Sequence, residues 1–140
     1  MPDVDFEPYM KLMVALVLAL PIAWDRERNS KIMGLRTFPL VSLGACAYIL
    51  VGTAFIGSDE PGATARIVQG PMSGIGFVGG GAILKSNDHV SGTASAASIW
   101  VTGALGAAVG FGYWGYAIAL SILNFSIVLI MSRLKAAVKE

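Results

Sequence analysis

FPLVSLGACAYILVGTAFI, residues 38–56, is nineteen consecutive residues without a charge. Wound as a helix rising 1.5 Å per residue, it spans about 28 Å, close to the thickness of a bilayer's hydrocarbon core. A helix of a soluble domain carries one apolar stripe, whereas a stretch apolar on every side belongs in lipid. Four neighbouring stretches repeat the pattern. Leu12–Trp24 is apolar and extends back to Pro8 if Lys11 reaches out to the interface. Ile67–Leu84 lies between Arg66 and Lys85, Thr93–Val109 carries no charge, and Tyr113–Met131 ends before Arg133. The expected fold is an all-α membrane protein, a five-transmembrane-helix bundle with spans about 8–24, 38–56, 67–84, 93–109 and 113–131. Residues 1–132 then form one transmembrane domain, and 133–140 a short cytoplasmic tail that prolongs the last span.

Composition agrees. Of the 140 residues 55% are hydrophobic and only 14% charged, against roughly 25% in an average soluble domain. A soluble core of this size cannot hide that much apolar surface, so the bilayer is the natural partner. Ten basic and nine acidic residues nearly cancel, which excludes the basic face that nucleic-acid binding demands. The acidic leader Asp3, Asp5 and Glu7, and the poor cleavage site Ala23-Trp24-Asp25, argue that the first span is not a cleaved signal peptide.

Charge also sets direction. The segment after span one holds Arg26, Arg28, Lys31 and Arg36, the loop after span three holds Lys85, and the tail holds Arg133, Lys135 and Lys139. The opposite side has only Lys11 and Arg66, with Asp3, Asp5, Glu7, Asp59 and Glu60. The positive-inside rule then places the N-terminus outside and the C-terminus in the cytoplasm.

Twelve of the 17 glycines fall between Gly70 and Gly115. Gly70 and Gly74, and likewise Gly76 and Gly80, are four apart, and Ala94, Ser98, Thr102, Gly106 and Gly110 form a small-residue stripe along span four. Such stripes let helix backbones approach closely where lipid supplies no hydrophobic drive, so the expectation is tight packing within the chain or between copies, with Ser98, Thr102, Gly106 and Gly110 as packing residues. Gly74–Gly79 also spells GxGxxG, but it sits inside an apolar span with no preceding strand, so a nucleotide reading fails. Span three further contains Gln69, Pro71 and Ser73. Two readings stay open: a kinked but continuous helix packed on span four, or a broken helix whose freed backbone forms an ion or solute site around Arg66, Gln69, Ser73, Gly74, Gly76 and Gly80.

Six of the 19 charged residues sit in the 13 positions Asp25–Thr37. This segment is read either as a solvated topogenic loop or as a salt-bridged platform at the membrane surface, built from Asp25, Arg26, Glu27, Arg28, Lys31, Arg36 and Thr37. If helix one runs on, Glu27 and Lys31 make a favourable i,i+4 pair. Arg36 is within reach of lipid phosphate or of a carboxylate from helix one.

The remaining polar residues are read as structural. Arg66 is expected to reach headgroups or to pair with Asp59 or Glu60, and Asp88 and His89 to be solvated. Trp100, Tyr113, Trp114 and Tyr116 suit the interface belt, Asn124 is expected to hydrogen-bond across to another helix, and Cys46 to be an apolar packing residue. No Asp, Glu, Lys or His lies mid-membrane, which disfavours proton- or cation-coupled transport. Neither a nucleophile–base pair nor a set of metal ligands is present, so no enzyme, no catalytic residues, no metal and no cofactor are expected.

The motifs together resemble the MgtC/SapB family. Asp25-Arg26-Glu27-Arg28, Lys31–Thr37 and Leu43-Gly44-Ala45 are similar to its "ERER…K-x-x-GLRT…LGA" signature. Arg66–Gln69 with Ser73–Lys85 resembles its "RI…SGIGFLGAGAIL" segment, and Gly92–Gly106 its "GLTTAASLWVTAAIG". The likeness runs in order over most of residues 12–131. Departures include Asp25 where Glu is usual, Ile32-Met33 for Pro-Ala, and Gly80 for Ala. Residues 132–140 follow span five directly, so the expectation is a short form without the soluble C-terminal domain of longer members. The resemblance implies a virulence-associated type of inner-membrane protein, tied to magnesium homeostasis and survival in low magnesium. It further implies a non-enzymatic regulator of membrane partners such as the proton-translocating ATP synthase, and the small-residue faces of spans three and four add the expectation of a homo-oligomer in the lipid bilayer. The alternatives are a transporter or channel for an ion or small solute, Mg2+ included, built around the glycine-rich third span, and a purely structural membrane subunit.

Overall fold

The computed structural model describes residues 5–30, 33–56, 61–86 and 89–138. It contains five helices, α1 (Glu7–Asn29), α2 (Thr37–Phe55), α3 (Pro61–Gly81), α4 (Thr93–Gly110) and α5 (Trp114–Val138). Two short strands, β1 (Leu84–Ser86) and β2 (His89–Ser91), lie between α3 and α4.

Local chemistry explains where these helices start and stop. Pro8 occupies the first turn of α1, where its missing N–H costs nothing, and Glu7 there faces the positive end of the helix dipole. The ammonium of Lys11 reaches back to Glu7 at 2.7 Å. Arg26 and Arg28 sit in the last turn of α1, where cations are favoured. That turn runs to Asn29, so part of the segment expected to be a loop is helix. The N–H groups of Thr37 and Phe38 both bond the Gly34 carbonyl, which starts α2 immediately after the turn. α4 follows Gly92, whose φ of 85° suits only glycine at low cost. At its far end Gly112 (φ 79°) closes the helix: the Tyr113 N–H bonds the Ala108 carbonyl and the Gly112 N–H that of Val109, a Schellman ending.

The region Lys85–Gly92 is partly strand, not loop throughout. β1 and β2 pair antiparallel in the register Leu84↔Ser91, Lys85↔Val90, Ser86↔His89. The sequence signal for these three-residue strands is too short to read as a period. Asp88 lies outside the described residues, as does the side chain of His89.

α4 is the centre of the bundle. It packs against the other four helices, and α2–α4 is the most extensive pairing. Half of α4 is buried, against 22–33% of α1, α2 and α5. Around it Ile22, Phe38, Ala82, Ile99 and Val128 form one apolar core, and Ala15, Cys46, Leu105, Val109 and Ala117 another. Large apolar side chains point outward all round, including Phe55, Phe77, Ile118 and Ile127. That is the surface of a bundle solvated by lipid.

α1, α2, α4 and α5 are long and apolar enough to cross a membrane. α3 has the length, with 21 residues, but its seven glycines, Arg66, Gln69 and Ser73 lower its hydropathy below that of the other four. It is one helix through Pro71. The broken-helix reading is therefore not the observed one.

Candidate functional site

Three neighbourhoods collect the residues singled out in the sequence. The first is the junction of α1 and α2. Asp25 and Arg26 are each only 6% exposed. The Arg26 guanidinium donates through Nε (3.0 Å) and a terminal nitrogen to one oxygen of Asp25. The Asn29 amide donates to the other at 2.8 Å. A buried charge survives only when paired and hydrogen-bonded, and here both carboxylate oxygens are engaged.

Glu27 and Arg28 point the other way and are exposed. Glu27 accepts a 2.9 Å hydrogen bond from the Leu35 N–H, so its carboxylate caps the turn into α2. That reach depends on Gly34, where a Cβ would collide with Glu27 Oε2 and stand 2.7 Å from the Glu27 Cα. Arg28 lies over the Trp24 ring, 5.9 Å from its centroid, a cation–π distance. Arg36 is exposed immediately before α2, and Thr37 opens that helix. Lys31, and with it the expected Glu27–Lys31 pair, lies outside the described residues. Ser30 reaches across to Ser95 of α4, oxygen to oxygen, at 3.3 Å.

The second neighbourhood is the seam along α4. Ser98, Thr102, Gly106 and Gly110 are all buried. A Cβ on Gly106 would collide with the Ser42 carbonyl of α2, and one on Gly110 would meet the Ile49 side chain at 2.7 Å. The two backbones touch there, as the spacing of four predicts. Asn124 of α5 donates to the Ser98 carbonyl (3.2 Å) and to Thr102 Oγ1 (3.3 Å), while the Thr102 hydroxyl bonds the same carbonyl. Ala94 is exposed and stands outside this contact.

Two further serines do the same work and are not singled out by the sequence reading. Ser42 donates to the Ala15 carbonyl at 2.7 Å, and Ser121 to that of Leu18 at 2.6 Å. Small hydroxyls within largely apolar spans are the signal that finds them. Among the described residues every buried side-chain nitrogen and oxygen has a partner.

The third neighbourhood is α3. Its small residues divide into two sets. Gly79 packs on the Ala96 backbone of α4, and the Ile75 side chain rests on Gly103. Gly70, Gly74, Gly76 and Gly80 have open space around them: a Cβ at any of the four would meet nothing within 4 Å. The expected packing of these four glycines inside the chain is thus absent, because α3 turns a different side, through Gly79 and Ile75, to α4. Arg66, Gln69 and Ser73 are exposed on the same helix. Asp59 and Glu60, the expected partners of Arg66, lie outside the described residues. Gly70 and Gly74 line a groove of about 640 Å³ between α2 and α3, with Gly44 and Gly52 opposite and Arg66 at one end.

Among the described residues no three His, Cys, Asp or Glu side chains come together as a metal site. Charge and polarity concentrate instead at the α1–α2 junction.

Known proteins resemble this chain along nearly its whole length. The chain is 36% identical to SrpB of Synechococcus elongatus over 115 residues, covering 74% of this chain and 63% of that protein. It is 35% identical to MgtC of Salmonella typhimurium over 117 residues, covering 83% and 49%. With YhiD of Escherichia coli K12, by its name a proposed magnesium transporter, it shares 32% over 130 residues, covering 89% and 60%. The chain therefore spans about half to three-fifths of the length of these relatives. No solved structure matches it significantly. The model of the MgtC family covers residues 12–137, which takes in the α1–α2 junction, the open α3 and the α4 seam alike. On that match and those relatives, this membrane-helical chain belongs to the MgtC family.

Proposed function

We propose that the chain is a multi-pass inner-membrane protein that crosses the bilayer five times, with its N-terminus outside and its C-terminus in the cytoplasm. In this reading it is a non-enzymatic regulator of membrane partners in magnesium homeostasis or low-magnesium stress. It works by helix–helix contact, as a homo-oligomer or with a partner such as the ATP synthase. The carrying observation is how its polar groups are spent. Ser42, Thr102, Ser121 and Asn124 are all consumed in hydrogen bonds that join helices or close a turn, which leaves none of the four to line a path through the bundle. Glu27, Arg28 and Arg36, by contrast, remain exposed at the α1–α2 junction. The name of YhiD, a proposed magnesium transporter, supports the link to magnesium.

A transport reading rests on a different observation. The open glycines of α3 border a groove large enough for a small solute, and YhiD is by its name a proposed transporter. Purified protein in liposomes separates the two. The regulator reading expects no Mg2+ flux and expects cross-linking from Arg28 or Arg36 positions to retrieve a membrane protein. Flux that is abolished by Ser73→Leu or Gly76→Leu would overturn it. Single-cysteine labelling at Asp5 and Arg133 tests the orientation, which predicts outside and cytoplasmic access respectively.

A further inference from the structure

The groove between α2 and α3 has a shape and charge that select its occupant. It runs along thirteen residues of each helix, Leu40 to Gly52 on α2 and Arg66 to Val78 on α3, a length of about 18 Å at a rise of 1.5 Å from each residue to the next. That length is somewhat more than half of a hydrocarbon core of roughly 30 Å. With a volume of about 640 Å³, the groove is open along one side and has room for a hydrocarbon chain.

The walls are apolar along the slot, from Val41 and Ile75 to Val51, and among the described lining residues one carries a permanent charge, Arg66. Arg66 is at the end where α2 finishes and α3 begins, and it is exposed. A guanidinium at the mouth of a hydrocarbon slot matches an amphiphile with a phosphate head and an acyl tail, since Arg binds phosphate through paired N–H donors. Glycine creates the slot: Gly44, Gly70 and Gly74 each face empty space where any side chain would project. The geometry points to a specific binding site for an anionic phospholipid of the leaflet on the Arg66 side. Its phosphate lies on Arg66 and one acyl chain runs down the α2–α3 groove. The inference rests on the reading that α3 lies within the bilayer.

The test uses the full chain purified in a neutral maltoside detergent, with bound lipid read by native mass spectrometry. Phosphatidylglycerol and phosphatidylcholine of identical acyl chains are the probes, with glycerol 3-phosphate as the head without the tail. The expected result is a preference of roughly fivefold for phosphatidylglycerol, the factor one basic residue contributes at a membrane surface. Glycerol 3-phosphate is not retained. Arg66→Gln brings the ratio to about one, Arg66→Lys keeps part of it, and Gly74→Leu lowers retention of both lipids. A Cβ at Gly74 meets nothing within 4 Å, so this last variant is expected to fold, which circular dichroism checks. Equal retention in the unaltered protein, a preference that survives Arg66→Gln, or unchanged retention in Gly74→Leu overturns the inference. So does a disulfide between copies of Gly70→Cys in the absence of bound lipid, which makes a second copy the occupant. A Phe77→Cys variant in a Cys46→Ala background reports on α3 separately. Labelling by a water-soluble thiol reagent in vesicles sinks the placement of α3, whereas protection with no lipid preference sinks the lipid site alone.

Discussion

Gly106 of α4 rests on the backbone carbonyl of Ser42 in α2, and the hydroxyl of that same Ser42 donates to the Ala15 carbonyl of α1. One residue therefore joins three helices at a point where none can retreat. A methyl group on Gly106 would collide with the Ser42 carbonyl and lie 2.9 Å from the Ser42 Cα, backbone against backbone, so α2 and α4 must separate to admit it. Gly106→Ala is expected to cost at least about 3 kcal/mol, the upper range for forced overpacking. Gly74→Ala, with open space around it, is expected to be neutral or to gain up to about 1 kcal/mol of helix propensity. Thermal unfolding of the two variants in detergent checks the contrast, and equal melting temperatures would refute the α2–α4 contact.

The buried Asp25–Arg26 pair predicts a pronounced asymmetry. Asp25→Ala leaves a buried guanidinium without its carboxylate, a loss of roughly 3–5 kcal/mol. Replacing both residues, Asp25→Leu with Arg26→Met, is expected to recover most of that. A double-mutant cycle on unfolding in detergent reads the coupling. If the double variant is as unstable as the sum of its parts, the pair is not the isolated unit described above.

Glu27 and Gly34 act together, and the bond they permit is measurable. In Glu27→Ala the Leu35 amide loses its acceptor, and its hydrogen exchange is expected to quicken by roughly fivefold, as for a loss of about 1 kcal/mol. Glu27→Gln retains an acceptor oxygen and should exchange nearly as slowly as the unaltered chain. Gly34→Ala also meets the Glu27 backbone, so the turn must move away from α1 and the Leu35 amide should exchange at least as fast as in Glu27→Ala. If this turn is the regulatory surface, Glu27→Ala and Gly34→Ala also fail together in low-magnesium growth while protein levels hold.

Asn124 gives a smaller and bounded effect. Its amide bonds Ser98 and Thr102 across the α4–α5 interface. Interhelical hydrogen bonds in membranes contribute about 0.6 kcal/mol on average and up to about 1.7. Asn124→Leu should therefore destabilise by no more than about 2 kcal/mol, with Thr102→Val partly overlapping it in a double variant. A greater loss would mean that Asn124 does more than join helices.

What is legible in the sequence follows from the kind of signal each feature sends. Charge-free runs announce α1, α2, α4 and α5 because lipid demands apolarity over a fixed length. The α4 seam is legible because small residues four apart share one face. The same spacing misleads in α3. Gly70 and Gly74 repeat it faultlessly, yet they face a groove, and Gly79, outside both pairs, makes the contact. Spacing identifies a face but not what covers it. The burial of Asp25 and Arg26 is likewise hidden, since adjacent charges at the end of a span read as a surface loop until the extra turn of α1 to Asn29 carries them inside.

The thinness of α3's attachments bears on how the protein is made. Its contacts with α4, through Ala96 and Gly103, lie in a segment synthesised only after α3 itself is complete. Until then α3 has the sparse α2–α3 contact alone, together with Arg66, Gln69 and its burden of glycine. Within its own bounds it lacks the long apolar stretch that the other four helices have. If α3 lies in the bilayer, as proposed, α4 is expected to hold it there once synthesised. Chains truncated at Gly92 should leave Phe77→Cys open to water-soluble reagent, and chains extended past Gly110 should protect it. Protection already complete at Gly92 would show that α3 inserts unaided.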